Sequence, residues 1–458
     1  MSTSKITRRE FIVRAGAVAA AALPLVGKEL GADSPSRPNF VFILTDDQRF
    51  DAMSCAGHPF LKTPNIDRIA REGALFKNAF VTISLCSPSR ACFLTGRYAH
   101  SHGIKDNRTP MSDDVTTWPR LLQKAGYDTA FIGKWHMDSQ EGPRPGFNRW
   151  VSFKGQGSYT DPVINVDGVT SKHTGYMTDI LTDYAVSWLK KPRKEPFCLY
   201  LCHKAVHGPF TPADRHAHIF DHIKPQWPVS SQEDLTGKPD WFVKRQQMRR
   251  GKQTDEEFAE FVRRYYATVV GIDESVGKVL AALDELGVTD NTVIAFAGDN
   301  GFFIGEHGML DKRAAYEESI RIPFVMRYPK LIKPGTTIEQ MVLNIDLCPT
   351  MLDIAGVQIP GDVHGRSLRP VLTGGAKDWR EDFLYEYFYE PAFVTPTIRA
   401  VRTQRWKYVE YPDSEYPSEL WDLKNDPHEM TNLIGDPSKA DVISDMKKRL
   451  ERLLRETS

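Results

Sequence analysis

Cysteine is scarce, net charge is absent, and long apolar runs are missing from all but the N-terminal part of the chain. Six cysteines in 458 residues, Cys55, Cys86, Cys92, Cys198, Cys202 and Cys348, are too few and too scattered for a disulfide scaffold. One bridge is open to them, and buried free thiols are the default expectation. Cys198 and Cys202 make a poor zinc half-site, because no second Cys/His pair is suitably spaced. Lysine plus arginine and aspartate plus glutamate both number 59, so no global field draws in nucleic acid or an anionic membrane. An anionic substrate must therefore meet a local cluster of cations. No segment after the N-terminus is long and apolar enough for a stable membrane span. No internal repeat is visible.

The N-terminus carries an address. "TRREFIVRAGAVAAAALPLVG" pairs Arg8 and Arg9 ahead of Phe11 and an alanine-rich run. Residues 1–32 read as a twin-arginine export signal; the competing reading is an amphipathic helix. Export implies the twin-arginine translocase as a partner and a periplasmic or extracellular destination.

Past a Ser/Pro linker near 33–38, buried strands alternate with helices. "NFVFILTDDQ" predicts a strand over 40–44 that stops at two aspartates. "LLQKAGYDTAFIGKWH" gives a helix ending near Gly126 and a strand over 127–132; "EPFCLYLCHK" gives another over 197–201. A long helix follows through "YYATVVGIDESVGKVLAALDELGV", then a strand ending in Asp299-Asn300-Gly301, and a further strand candidate in "RIPFVMRYP". This alternation predicts an α/β fold with a large, mostly parallel sheet. Residues 208–260 read as an irregular insertion. From about 376 the texture becomes that of amphipathic antiparallel strands, closed by a helix with Val442, Met446, Leu450 and Leu453 on one stripe. The expected division is a catalytic domain over 33–375 and a C-terminal α+β subdomain over 376–458.

In open α/β sheets ligands bind beyond the carboxyl ends of the strands. Asp46, Asp47, Asp299 and Asn300 fall there, an all-oxygen set suited to Ca²⁺ or Mg²⁺; alternatively Asp47 and Asp299 cap the elements that follow. Lys134 and His136 in "GKWH", His207 in "AVHGPF", and His307 and Lys312 in "EHGMLDKR" bring cations to the same rim. Together they suit a tetrahedral anion held over a metal. "LCSPSRACFLTGR" remains. Pro88 fits a first helical turn and Ser87 or Ser89 an N-cap. Cys86 then meets helix N–H groups, with Arg90 one turn on. An activated thiolate would be an odd companion for a hard, oxygen-ligated metal.

"CSPSRACFLTGR" resembles the sulfatase signature Cys-x-Pro-Ser-Arg followed by Leu-Thr-Gly-Arg, and "TDDQ", "GKWH", "HGPF" and "GDNG…EHG…K" occur in that family's order. The chain is thereby identified as resembling the type I, formylglycine-dependent sulfatases of the alkaline-phosphatase-like superfamily. The resemblance implies that Cys86 is oxidised by a formylglycine-generating enzyme. The hydrate's one hydroxyl then attacks sulfur, and its second expels sulfate. It also implies that Asp46, Asp47, Asp299 and Asn300 hold one Ca²⁺ with residue 86, Mg²⁺ being second choice. Arg90 would stabilise the hydrate, Lys134 and Lys312 would bind sulfate, His136 would assist at residue 86, and His207 would protonate the leaving alcohol. Thr95, Gly96 and Arg97 would hold the motif helix, unless Arg97 faces substrate. "RPGFNRWVSFKGQGSYTDPVINVDG" and "LYLCHKAVHGPFTPADRH" are similar to the N-acetylglucosamine-6-sulfatase and mucin-desulfating subgroup. That implies a 6-O-sulfated sugar, with Trp150, His173, His307 and the aromatic C-terminal segment lining its pocket. "KRQQMRRGK", residues 244–252, reads as a solvated basic loop or a grip for a polysulfated chain; "HAHIFDH" reads as surface histidines. The alternatives are a phosphonate or phosphodiester hydrolase using the same site, and a non-catalytic glycan-binding relative.

Overall fold

Asn39–Thr45 is buried along its whole length, as a strand covered by helices on both sides of a parallel sheet must be. The computed structural model of the chain describes residues 37–236, 238–250 (without the side chains of 249 and 250) and 254–458. The expected export signal lies outside them. Asn39–Thr45 pairs in parallel with Phe197–Cys202 on one side and Thr292–Gly298 on the other. Asp128–Gly133 and Arg149–Ser152 extend the parallel set beyond Phe197–Cys202, and a hairpin of Val163–Val166 and Val169–Lys172 closes that edge. Beyond Thr292–Gly298 lie antiparallel Phe324–Arg327, then Ala74–Phe76 and Thr336–Ile338. The result is a ten-stranded, mostly parallel sheet.

Side-chain alternation splits the core in two. Val41 and Ile43 face the helices Met177–Leu189 and Asp255–Glu285, whereas Phe40, Phe42 and Leu44 face Cys86–Thr95, Trp118–Lys124 and Leu347–Ala355. Each of these fully buried side chains contributes roughly 1.5–3 kcal/mol of transfer free energy. Asp382–Tyr387, Ile398–Thr403, Trp406–Glu410 and Glu419–Asp422 form a separate antiparallel sheet in chain order. The helix Ala440–Glu456 buries Met446, Leu450 and Leu453, with Val442 only partly covered. Residues 37–458 cluster as one unit.

The stretch 208–260 is more regular than its composition suggests. It contains the helix Asp240–Arg250, and the long helix starts at Asp255, ten residues ahead of the expected Tyr265. Thr254 accepts from the Glu257 N–H while the Glu257 carboxylate accepts from the Thr254 N–H. That reciprocal cap fixes the start. All six cysteines are free, and all but Cys55 are buried. Among the described residues no helix is long and apolar enough to cross a membrane.

Candidate active site

The four parallel strands nearest the centre end at one rim, and each delivers polar side chains there. Asp46 and Asp47 follow Asn39–Thr45; Lys134 and His136 follow Asp128–Gly133; His207 lies beyond Phe197–Cys202; Asp299 and Asn300 follow Thr292–Gly298. The turn after Asp128–Gly133 requires glycine. Gly133 sits at φ +122°, and a Cβ there would lie 1.7 Å from the Cys202 carbonyl oxygen. Asp47 and His136 occupy left-handed backbone at φ 56° and 60°, which costs energy for residues other than glycine. Hydrogen bonds hold them there. The Tyr265 hydroxyl donates to the Asp47 carbonyl at 2.7 Å, and Ser87 Oγ donates to the His136 carbonyl.

The motif helix Cys86–Thr95 begins with Cys86 itself, after Leu85 in extended conformation. Neither serine caps it. Ser87 is drawn to His136, Ser89 Oγ accepts from Asn344 Nδ2 at 2.9 Å, and Asn107 Oδ1 accepts the Ser87 N–H at 3.0 Å. Gly96 ends the helix at φ +71°. Arg97 turns outward, donating to the Ser101 carbonyl at 2.8 Å and pairing with Asp362 at 3.1 Å, so it holds structure rather than facing the rim.

On the rim, opposite charges meet in pairs. Arg90 spans Asp299 Oδ2 at 2.9 Å and Asp46 Oδ2 at 3.3 Å while donating to the Lys134 carbonyl at 2.7 Å. Lys134 Nζ donates to Asp46 and Gln156, and Lys312 Nζ to Asp47. Lys312 Nζ also lies 3.1 Å from Cys86 Sγ, whose thiol points at Asp46 Oδ1 at 3.5 Å. His207 Nδ1–H donates to the Gly208 carbonyl at 3.0 Å, which leaves Nε2 facing Asp47 Oδ2 at 3.8 Å. Oxygens of Asp46, Asp47 and Asp299 all come within 4.8 Å of one another.

Burial and close neighbours shift several of these groups in opposite directions. Burial disfavours an ionised Asp46, yet Lys134, His207, Arg90 and Lys312 hold its carboxyl well below the usual range. Asp299 goes the other way. Burial and the neighbouring Asp46 push it up to about 7, against Arg90. Burial opposes the Lys312 charge too, but Asp47 and Cys86 raise it above the ordinary lysine range. Burial and Lys134 hold His136 well below the normal histidine range, and burial takes His207 down to about 4 against the pull of Asp47. The Cys86 thiol is pushed up to about 12 by burial and Asp46, despite Lys312 and Lys134. It is inert as a thiolate at neutral pH.

Asp47, His207 and Lys312 open onto a cavity of about 460 Å³ walled by Arg108, Arg313 and Tyr389, among others. Of the expected sugar-binding set, the aromatic C-terminal segment reaches it through Tyr389, but Trp150, His173 and His307 do not line it. Trp150 is 1% exposed and stacked on Phe131 in the core. His307 is fully buried, donating from Nδ1 to Glu233 at 2.8 Å. His173 bonds Tyr184 at 2.7 Å beside the edge hairpin. Conversely, Asn107, Gln156, Tyr265 and Tyr159, whose hydroxyl donates to the His207 carbonyl at 2.6 Å, were not singled out by sequence. The spacing of these residues carries no signal; loops bring in Asn107, Gln156 and Tyr159, and the long helix brings in Tyr265.

Comparison with known proteins agrees with this geometry. A family model described as "Sulfatase" matches residues 38–357, and one described as "N-sulphoglucosamine sulphohydrolase, C-terminal" matches 305–456. An N-acetylglucosamine-6-O-sulfatase of Bacteroides thetaiotaomicron is 36% identical over 507 residues, covering 95% of this chain and 90% of that protein. The Homo sapiens N-acetylglucosamine-6-sulfatase is 30% identical over 454 residues, covering 87% of this chain and 81% of that protein. A solved structure described as a complex with its substrate D-glucosamine-2-N,6-O-disulfate superimposes with a TM-score of 0.86 at 35% identity, covering 92% of this chain and 98% of that one. With a motif cysteine, three carboxylates and two lysines converging on one rim, these matches identify the chain as a member of the sulfatase family, a sulfuric ester hydrolase of alkaline-phosphatase-like fold.

Proposed function

We propose that this sulfatase removes the 6-O-sulfate of N-acetylglucosamine units in a sulfated glycan, using a formylglycine made from Cys86 and a bound Ca²⁺. The observation that carries the site reading is the placement of Cys86 Sγ between Lys312 and Asp46 on the buried rim. The glycan rests on the two N-acetylglucosamine-6-sulfatase relatives, each similar over most of the chain.

A thiol with its proton held to about pH 12 suits a precursor better than a nucleophile. Sγ then marks where an oxygen of the converted residue stands. Formylglycine supplies a hydrated aldehyde, with one hydroxyl for attack on sulfur and a second for expelling sulfate. The donor set fits a hard divalent cation. Three carboxylates crowd together, burial and the neighbouring Asp46 hold a proton on Asp299 to about pH 7, and Asn300 Oδ1 is buried without a protein partner. Asp46, Asp47, Asp299 and Asn300 would hold Ca²⁺, which supplies Lewis-acid stabilisation of charge on oxygen.

The remaining steps belong to the chain's own side chains. Lys134 and Lys312 neutralise sulfate oxygens as negative charge builds. Arg90 fixes Asp46 and Asp299 and faces the start of the motif helix. His136, clamped by Ser87, borders residue 86. His207 Nε2 is aimed inward by the Gly208 bond, and an arriving sulfate raises its proton affinity, so it can carry a proton to the leaving alcohol.

The test is a desulfation screen of the matured enzyme on 6-O-, 4-O-, 2-O- and N-sulfated sugars beside a phosphonate monoester. Preference for 6-O-sulfated N-acetylglucosamine is expected; a different position overturns the glycan assignment, and faster phosphonate cleavage overturns the specificity for sulfate. The same proposal includes maturation by a formylglycine-generating enzyme, export through the twin-arginine translocase to the periplasm or beyond, and a functional boundary near 376. Replacing Arg8 and Arg9 with lysine should leave the protein in the cytoplasmic fraction.

A further inference from the structure

The basic stretch 244–252 has a use that neither a solvated loop nor a glycan grip describes. It lies mostly on the helix Asp240–Arg250, whose inward face buries Trp241, Phe242, Arg245 and Gln246. That face backs the irregular loop carrying Lys312. The loop has little regular structure of its own and contains left-handed backbone at His307 and Arg313.

Arg245 is the strongest of these contacts. Its side chain is 2% exposed and pairs with Asp311 Oδ2 at 2.7 Å. The same guanidinium donates to the Lys312 carbonyl, to the Arg313 carbonyl at 3.2 Å and to Thr395 Oγ1 at 3.1 Å. One rigid fork thus holds the backbone of Lys312, both residues flanking it and the segment joining the first two strands of the second sheet. Arg313, beyond the clamp, stacks over Phe393 at 3.6 Å and pairs with Glu390 at 2.8 Å on the cavity wall.

We propose that Arg245 is a positioning residue for the sulfate-binding Lys312, acting through the backbone of Asp311–Arg313 from outside the cavity. The inference rests on the reading of Lys312 as a sulfate ligand. A lysine side chain cannot replace the fork, because an ammonium lacks its fixed, planar set of donors. Displacing a catalytic group by about 1 Å can cost roughly 100-fold in rate.

The experiment compares wild type, Arg245→Lys and Gln246→Ala as matured enzymes, measuring kcat, KM, thermal unfolding and calorimetric binding of inorganic sulfate. Gln246 donates to the His307 carbonyl at 3.1 Å from the same helix, and serves as the structural control. Arg245→Lys should lose roughly 100-fold in kcat and about 10-fold in sulfate affinity, while Gln246→Ala keeps both. Wild-type sulfate affinity in folded Arg245→Lys overturns the inference. So does an equal loss in both variants that tracks their melting temperatures. Should Arg245→Lys fail to fold, Thr395→Val removes one acceptor of the fork; a several-fold weakening of sulfate binding supports the clamp, and unchanged binding overturns it. If wild type itself binds no sulfate, the reading of Lys312 fails, and the clamp falls with it.

Discussion

Two buried ionic networks share this molecule, and they differ in what lies beside them. The rim of the large sheet sets Asp46, Asp47 and Asp299 against Arg90, Lys134 and Lys312. The second joins the C-terminal sheet to the rest. Lys407 bridges Glu317 at 2.9 Å and Glu429 at 2.7 Å, Arg402 pairs with Glu317 at 3.1 Å, and Lys238 pairs with Glu233 at 3.2 Å above the Trp421 ring. Both are as deeply buried, so burial of charge does not tell them apart. The difference lies in what is left over. The rim opens on a cavity and crowds three carboxylates within reach of one ion. Lys407, Arg402 and Lys238 of the second network pair with Glu317, Glu429 and Glu233 away from that cavity, which suits a structural joint.

The largest expected effects lie at the rim. Cys86→Ala should reduce turnover to background while leaving the melting temperature near wild type; surviving turnover would mean that residue 86 is not the source of the nucleophile. Chelation with EGTA should likewise abolish turnover, and added Ca²⁺ should restore it; activity indifferent to chelator would remove the metal from the site. His207→Ala should cost about 10²–10⁴-fold in kcat on a sugar sulfate. The loss should shrink on an aryl sulfate whose leaving group needs no proton, and an equal loss on both substrates would deny the proton-transfer role. In the second network the signature reverses. Lys407→Met strands Glu429, while Glu317 keeps Arg402, and should cost about 3–5 kcal/mol of stability by urea unfolding, with kcat of the folded fraction unchanged. A fall in kcat would couple the two networks.

How much of this could be read in advance follows the same divide. Phe40, Phe42 and Leu44 on one face with Val41 and Ile43 on the other make a strand buried on both sides, and such a strand betrays its own end. The polar pairs at those ends were therefore legible, as was the motif helix from its length and residue order. Pairing across loops was not. Trp150 and His307 are of types that bind sugars, yet their neighbours, Phe131 and Glu233, turn them into core. Asn107 caps the motif helix from a loop 20 residues away in sequence, in place of the local serines. The start of the long helix at Asp255 was encoded by Thr254 and Glu257, a spacing easily hidden beside a polar, charged stretch.

The smallest effect probes how the closed network settles its excess negative charge. Glu419 is 2% exposed; its Oε2 accepts from the Tyr411 hydroxyl at 2.8 Å, and its Oε1 has no protein partner. Burial lifts its pKa to about 7 against the attraction of Lys238. Since the folded value is raised, the folded state binds the proton more tightly than the unfolded chain. The resulting stability is complete below the ordinary glutamate pKa near 4.5 and is lost as pH climbs through about 7. The gap corresponds to about 3 kcal/mol. Urea unfolding of wild type should therefore weaken by that much, relative to Glu419→Gln, between pH 4.5 and pH 7, because glutamine keeps the acceptor for Tyr411 without a titrating proton. A pH-independent gap between the two would show that folding does not raise the Glu419 pKa. A gap that widens with pH as predicted means that the joint keeps a proton on its extra carboxylate, whereas the rim sets crowded carboxylates beside an open cavity.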